Sequence, residues 1–136
     1  MAKKEEKVMQ IYRIDHIHLI SPNIEPTKNW YCDMLGGKVT FEGEFKGNKV
    51  YYVDLHGFNI IIIERLPDEE PLPATIQTRE GLDHFGVAID DMDAAAGELK
   101  KKGVTFVVEP MQVRPGLRIA YIEAPDKVRI ELSEKK

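Results

Sequence analysis

The strongest constraint on the fold of this chain is an internal duplication. The tetrapeptide IDHI at residues 14–17 returns 68 positions later as LDHF at residues 82–85. Further along each half, residues 51–61 match residues 121–131 at a spacing of 70. Self-similarity of this kind is typical of one supersecondary unit that is built twice. We therefore expect two similar halves that place their matching residues in equivalent positions.

The duplication also sets the expected boundaries of the domain. A chain of 136 residues makes one domain, or two small repeats packed as one. We predict a single domain over residues 11–133, preceded by a charged N-terminal tail at 1–10. Within the domain, a first repeat at 11–66 and a second repeat at 81–133 are joined by a Pro-rich connector at 67–80.

Composition excludes several classes of protein. Hydrophobic residues make up 43% of the chain and charged residues 31%, which is ordinary for a globular domain. The longest aliphatic run, residues 60–63, is far shorter than the roughly 20 residues of a membrane helix, and the charged residues 1–7 lead into no signal-peptide segment. We therefore expect a cytoplasmic protein. The net charge is −4 and no basic stripe is present, which argues against nucleic acid as a partner. Cys32 is the single cysteine, so any metal must be held by histidine and carboxylate side chains.

Both halves show the same order of strand and helix signals. Apolar residues at helical spacing predict the second helix: Met92, Ala95, Ala96 and Leu99. Asp90 and Asp91 offer an N-cap for that helix, and glycine at 103 ends it, as glycines at 36–37 end a first helix that begins near 26. The predicted strands are 11–20, 38–45, 49–55, 58–66, 82–89, 104–108, 117–124 and 128–132. This is a βαβββ unit twice, in the α+β class.

Alternation along the strands places several polar side chains on one face of the predicted sheet. His16 and His18 share a face of the first strand, and His84 lies on the face of the fifth strand where small residues leave room. In the last strand, Arg129 and Glu131 point away from the apolar face. We expect these residues around one concavity, with His16 and His84 at equivalent positions of the two repeats.

Three segments carry a resemblance to a known family: residues 14–17, residues 81–87 (GLDHFGV) and residues 124–132 (APDKVRIEL). They resemble the vicinal oxygen chelate superfamily, which includes glyoxalase I, methylmalonyl-CoA epimerase, extradiol dioxygenases and antibiotic-resistance proteins. The resemblance extends from about residue 12 to residue 133. It implies that the two βαβββ repeats form one open, cup-shaped sheet with the helices on the outside.

The resemblance also implies one divalent metal ion, held by residues from four strands. Three of the positions fall on His16, His84 and Glu131. The fourth falls on Ile61, where glyoxalase I and the epimerase have Glu or Gln. Glu64, three residues on, faces the other way unless a bulge re-aims it. Fe2+ is the favoured ion, with Mn2+, Co2+, Ni2+ or Zn2+ as alternatives.

Three functional hypotheses follow. Two histidines and one carboxylate with open positions suit Fe(II) and oxygen chemistry, so the first is a dioxygenase acting on a small substrate that chelates the metal through adjacent oxygens. Tyr121 and His18 would be its catalytic residues. The second is a glyoxalase- or epimerase-like lyase or isomerase, in which a divalent ion acts as a Lewis acid and a carboxylate moves a proton. The third is a small-molecule-binding resistance protein, and the retained ligand residues count against it.

The expected substrate pocket is partly apolar. Its predicted lining residues are Tyr51, Ile61, Ile63, Gly86 and Arg129. A small molecule is the expected partner, with no role for nucleic acid or membrane, and pairing into a homodimer through edge strands is left open.

Overall fold

The computed structural model describes residues 9–136. Its strands and helices are, in chain order, β1 (His16–Ser21), α1 (Ile24–Leu35), β2 (Lys38–Phe45), β3 (Asn48–Leu55), β4 (Phe58–Glu64), β5 (Phe85–Ala88), α2 (Met92–Lys101), β6 (Phe106–Arg114), β7 (Leu117–Ala124) and β8 (Val128–Lys135). A short 3-10 turn, Pro125–Lys127, joins β7 to β8. The predicted charged tail at 1–10 lies, for residues 1–8, outside the described part of the chain.

The strands form two four-stranded mixed sheets with the same topology. Their orders are β1-β4-β3-β2 and β5-β8-β7-β6. In each sheet the first strand pairs in parallel with the last, and the other neighbours are antiparallel. Helix α1 packs on β3 and β4, and α2 packs on β6 and β8. The predicted α+β fold of two βαβββ repeats is confirmed, and the two sheets do not close into a barrel.

The helices begin and end where their local chemistry dictates. Ile24 and Met92 occupy the first position of α1 and α2, and both side chains are fully buried against the sheets. The Asp91 carboxylate caps α2 by accepting a hydrogen bond from the backbone N–H of Ala94 at 3.1 Å. Gly36 ends α1 in the left-handed conformation, with φ of 72°, which glycine adopts without steric cost. Neither helix of the described residues is long and apolar enough to cross a membrane.

Several strand boundaries differ from the predicted ones because pairing partners set them. β1 begins at residue 16 instead of 11, since its ladder with β4 starts at the pair His16 and Asn59. β5 is limited to Phe85–Ala88, the segment that pairs with β8. β8 continues to Lys135 because Leu117 of β7 pairs with that residue. The β7–β8 hairpin is therefore longer than the hydrophobic pattern indicates.

One core runs through both repeats. It combines the buried faces of β4 and β8 with the inner faces of both helices: Ile60, Ile62, Ile130, Leu132, Tyr31 and Leu99 are among its members. Gly37 is pressed against this core where α1 turns into β2. A Cβ atom on Gly37 would lie 2.7 Å from Cγ1 of Val53 and 3.1 Å from the carbonyl oxygen of Tyr31. Only glycine fits there without displacing its neighbours.

We expect Gly37→Ala to lower the free energy of unfolding by about 1–3 kcal/mol, because the added methyl group overpacks the core at Val53. Gly97→Ala is the matched control. No heavy atom lies within 4 Å of a Cβ at Gly97, which is inside α2, so alanine should raise stability by about 0.5–1 kcal/mol. Urea denaturation measures both. Equal effects of the two substitutions would contradict this packing.

Candidate functional site

The candidate site lies where β5 begins and where β8 and β7, the next two strands of the sheet, present side chains to the same face. Nε2 of His84 lies 2.9 Å from Oε1 of Glu131. The hydroxyl of Tyr121 donates to the same carboxylate oxygen at 3.2 Å. Strand register produces this meeting, since Gly86 of β5 and Tyr121 of β7 both pair with Glu131. Gly86 has no side chain to crowd the carboxylate, and its position is the one the sequence indicated for a small residue.

Asp83 holds the other side of the His84 ring. Its Oδ2 lies 2.8 Å from Nδ1 of His84 and accepts a hydrogen bond from Nη1 of Arg129 at 2.6 Å. Its Oδ1 accepts from the backbone N–H of Arg79 at 2.9 Å. The hydrogen bond with His84, followed by that from Arg79, lowers the pKa of Asp83. The carboxylate therefore stays ionised and keeps a proton on Nδ1 of His84.

His84 consequently lies between two carboxylates. A neutral imidazole has one N–H donor, and Asp83 takes it. Nε2 then faces the carboxylate of Glu131 at hydrogen-bonding distance, so this contact is compensated either by a proton on one of the two atoms or by a metal ion that both of them bind.

Tyr121 completes the polar group and shields one side of it. Burial, followed by the charge of Glu131, raises the pKa of Tyr121, so its hydroxyl remains a hydrogen-bond donor. Its ring meets the His84 ring edge-on, with centroids 4.9 Å apart. The guanidinium of Arg129 lies 4.7 Å from the centroid of the Tyr121 ring, within the range of a cation–π interaction.

The first repeat supplies histidines to the same region. Nδ1 of His16 lies 2.6 Å from Oδ2 of Asp15. In both repeats, therefore, the aspartate that precedes the histidine contacts Nδ1 of its ring. His16 and His18 line a cavity of about 420 Å³ together with His84 and Arg129. Of residues 9–136, however, no three His, Cys, Asp or Glu side chains lie close enough together to hold a metal ion as placed. His16 thus lines the same cavity as His84 but does not join His84 and Glu131 in one group of ligands.

Ile61 occupies the position equivalent to Glu131. Ile61 pairs with His18 of β1, and Glu131 pairs in the same way with Gly86 of β5. The spacing of 68 relates His18 to Gly86, and the spacing of 70 relates Ile61 to Glu131. Ile63 lies two residues further on the same face of β4. Glu64 lies on the opposite face, because no bulge interrupts the pairing of β4 with β1 or β3. The first repeat therefore presents apolar side chains where the second presents a carboxylate.

The prediction that Tyr51 lines the pocket is wrong. Tyr51 is 4% exposed and its hydroxyl donates to Glu25 of α1, so it lies on the helix-covered face of its sheet. The reason is the length of the turns. Two residues lie between the paired residues that close the β3–β4 turn, whereas three lie between those that close the β7–β8 turn. The extra residue shifts the register by one, so Tyr52 pairs with Ile61 as Tyr121 pairs with Glu131.

Two residues of the site were not predicted from the sequence. Asp83 orients His84 and binds Arg129, and Arg79 from the connector lines the cavity and donates its backbone N–H to Asp83. The Asp–His dipeptide in both repeats was a signal for Asp83, because a carboxylate behind a histidine fixes its tautomer and orientation. No local pattern in the sequence singles out Arg79.

The hydrogen bond from Tyr51 to Glu25 predicts a measurable change in the pKa of Glu25. The hydrogen bond from Tyr51, followed by that from Lys49, lowers the pKa of Glu25 from 4.5 to about 2. Because the folded-state pKa is depressed, this cluster stabilises the protein above pH 4.5, and the contribution is lost as the pH falls toward 2. We expect Tyr51→Phe to raise the pKa of Glu25 in a carboxyl-carbon NMR titration. Tyr52→Phe, the control, should leave it unchanged, and equal effects would contradict the register.

Comparison with known proteins places this geometry in a family. Residues 13–132 match the Glyoxalase/Bleomycin resistance protein/Dioxygenase superfamily. The uncharacterized protein YwkD of Bacillus subtilis is 31% identical over 93% of this chain and 100% of its own length. The mitochondrial methylmalonyl-CoA epimerase of mouse is 24% identical over 82% of this chain and 65% of its own length.

Solved structures agree on the fold. The fosfomycin resistance protein FosX of Listeria monocytogenes, in a crystal structure complexed with Mn(II) and sulfate, has a TM-score of 0.69 to this chain. The likeness covers 93% of this chain and 95% of the other at 17% identity. The duplicated βαβββ fold and the match over most of the chain lead to one conclusion: this chain belongs to the Glyoxalase/Bleomycin resistance protein/Dioxygenase superfamily, the vicinal oxygen chelate proteins.

Proposed function

We propose that the protein is a divalent-metal-dependent enzyme of the isomerase or lyase type, which transfers a proton on a small substrate bound through two adjacent oxygens. The observation that carries the proposal is the position of His84 between Asp83 and Glu131. One nitrogen of the ring is held by a carboxylate, and the other lies 2.9 Å from a second carboxylate, so Nε2 and Glu131 are close enough to bind one cation together. A structural histidine needs only one such partner.

The donor set fits a divalent ion in its chemistry. His16 and His84 each have an aspartate at Nδ1, which leaves Nε2 as the ligand atom, and this support is the usual outer shell of a metal-binding histidine. Glu131 adds one carboxylate oxygen. Imidazole and carboxylate ligands suit Mn2+, Fe2+, Co2+, Ni2+ or Zn2+. We propose that these three residues hold one such ion, and the Mn(II) named for FosX supports an ion of this group.

When bound, the ion would act as a Lewis acid toward the substrate oxygens. The residues of this chain have separate tasks around it. Asp83 keeps the proton on Nδ1 of His84, and Tyr121 donates a hydrogen bond that limits the negative charge on Glu131. His18 lines the same cavity as His84, and histidine is the side chain that most often carries protons in catalysis, so we propose it as the proton carrier.

Proton transfer is favoured over oxygen chemistry by the relatives with named activities. Methylmalonyl-CoA epimerase matches most of this chain, and its name describes an isomerisation at one carbon. An Fe(II) dioxygenase is the second candidate. Ile61 favours it, because an apolar residue at the position equivalent to Glu131 leaves a coordination position open for a second reactant. The non-catalytic resistance protein is the weakest candidate, because such a protein has no need for two aspartate-supported histidines.

We also propose that two copies of the chain pair. β2 and β6 each form one edge of their sheet, and both expose large apolar side chains. Phe41 and Phe45 on β2 are 50% and 53% exposed, and Met111 and Val113 on β6 are 49% and 50% exposed. Exposed apolar surface of this extent on edge strands is typical of an interface.

The metal assignment predicts that His84→Ala abolishes binding of one equivalent of Co(II) or Mn(II) in calorimetric titration. The wild-type protein should gain about 2.7 kcal/mol of stability at a metal concentration near 100 times Kd, and the variant should not. His56→Asn is the control, since His56 lies in the β3–β4 turn and asparagine tolerates its left-handed backbone. A His84→Ala protein that keeps one tightly bound equivalent would contradict the assignment.

The reaction class predicts a second, separate result. Metal-loaded protein incubated in deuterated water with methylmalonyl-CoA and with other carbonyl compounds that carry a neighbouring oxygen should exchange the proton next to the carbonyl for deuterium. The exchange should proceed without oxygen uptake and with Zn(II) as well as Fe(II), because zinc has no redox chemistry. Mass spectrometry and an oxygen electrode measure the two outcomes. Oxygen uptake with catechols, restricted to the Fe(II) protein, would instead establish the dioxygenase candidate.

A further inference from the structure

The duplication creates two grooves, each between a helix of one repeat and the last hairpin turn of the other. In one of them, α1 lies against the β7–β8 turn, where Oγ1 of Thr27 is 3.5 Å from Oδ2 of Asp126. Thr27 and Tyr31 are 3% and 0% exposed, so they fill the space beneath the turn. The charge of Asp126 also contributes to a raised pKa of Tyr31, after the larger effect of burial. This groove is closed by side chains.

The second groove keeps the backbone of the first but loses its filling residues. At the spacing of 68 that relates His16 to His84, Thr27 corresponds to Ala95 and Tyr31 to Leu99. At the spacing of 70, Asp126 corresponds to His56, and both turn residues have positive φ, 60° and 49°. The two turns therefore share a left-handed residue at this position, although the β7–β8 turn is one residue longer, and the two helix residues beneath the β3–β4 turn are smaller.

The smaller residues leave a cavity of about 480 Å³ on the helix side of the molecule. Its walls come from both repeats and include Met34, Leu55, Phe58, Val87, Leu99 and Leu132. His56 and Glu98 are its ionisable lining residues, and both are exposed at its opening. Glu98 also accepts a hydrogen bond from Lys102 at 3.1 Å.

A cavity of this size among mainly apolar side chains lowers the stability of the protein, because large-to-small replacements in a core are destabilising. A ligand bound in the cavity would offset this loss. The volume and the apolar walls with a few polar groups match a small-molecule site. We infer that this cavity binds a small molecule with an apolar, ring-sized body and one hydrogen-bonding end, which faces His56 and Glu98. The site differs from the His84–Glu131 site, because most of its lining side chains lie on the helix side of the sheets, and the two cavities have only Phe85 in common. It does not depend on the proposed function.

The occupant is a small molecule instead of a second protein chain because the cavity is a concave space of limited volume whose walls all come from one chain. Helices α1 and α2, the β3–β4 turn and strand β5 all contribute residues to it. Strand β5 also belongs to the proposed metal site, because it begins directly after His84. A ligand in the cavity would therefore contact the strand that positions His84, from the opposite face.

The test uses 1-naphthol as a probe, titrated into the full-length protein and followed by backbone amide NMR. We expect saturable shifts at His56, Gly57 and Leu99 that are larger than any shift at Tyr121 or Glu131. Leu99→Tyr restores the filling residue of the other groove and should weaken binding by about tenfold or more. Leu99→Met keeps the side-chain volume and should leave the affinity within about twofold of wild type. If Leu99→Tyr fails to fold, Ala95→Leu, at the half-buried edge of the cavity, carries the same expectation.

Three results would overturn the inference. Shifts confined to Tyr121 and Glu131 would mean that the probe enters the other site only. Shifts at His56 and Leu99 that survive both filling substitutions would mean that the probe lies outside the cavity. Shifts at these residues that follow protein concentration, without probe, would mean that a second copy of the chain covers the groove. Because no metal is needed in any arm, a negative result here leaves the proposed metal-dependent function unaffected.

Discussion

The structure of the candidate site depends on the ion pair between Asp83 and Arg129. Nη1 of Arg129 lies 2.6 Å from Oδ2 of Asp83, and Arg129 is 8% exposed. The pair ties the segment just before β5 to β8, and the same carboxylate oxygen faces Nδ1 of His84. Removal of either partner would leave a desolvated charge without compensation, which is costly. Nε of Arg129 already lacks an acceptor among the described residues, so its guanidinium depends on Asp83 and on the Tyr121 ring.

The two repeats have diverged in chemistry while they kept the same backbone. The second repeat carries the carboxylate of Glu131 and the hydroxyl of Tyr121 on its sheet face, and the first presents Ile61 beside Tyr52 at the equivalent positions. On the helix side the asymmetry is reversed, since the first repeat's helix fills its groove with Tyr31 and the second repeat's helix does not. A duplicated fold thereby obtains one polar site and one apolar cavity from a single architecture.

Much of this arrangement could be predicted from the sequence because it depends on local patterns. The two Asp–His dipeptides and their spacing identify equivalent strand positions, and alternation along β4 separates Ile61 from Glu64. The error at Tyr51 arose where the spacing of 70 was extended across a turn. One additional residue between β7 and β8 reverses which tyrosine faces the open side, and no pattern within either strand records it. The start of β1 and the role of Arg79 depend on contacts between distant segments, which a local pattern does not contain.

The most direct test of the central claim is anomalous diffraction from crystals of the protein grown with Co(II) or Mn(II), recorded at the absorption edge of the metal. We predict one strong anomalous peak per chain, within about 2.0–2.2 Å of Nε2 of His84 and of a carboxylate oxygen of Glu131, with Nε2 of His16 as the third ligand. A peak bound at His56 or at surface carboxylates, with Nε2 of His84 still hydrogen-bonded to Glu131, would contradict it.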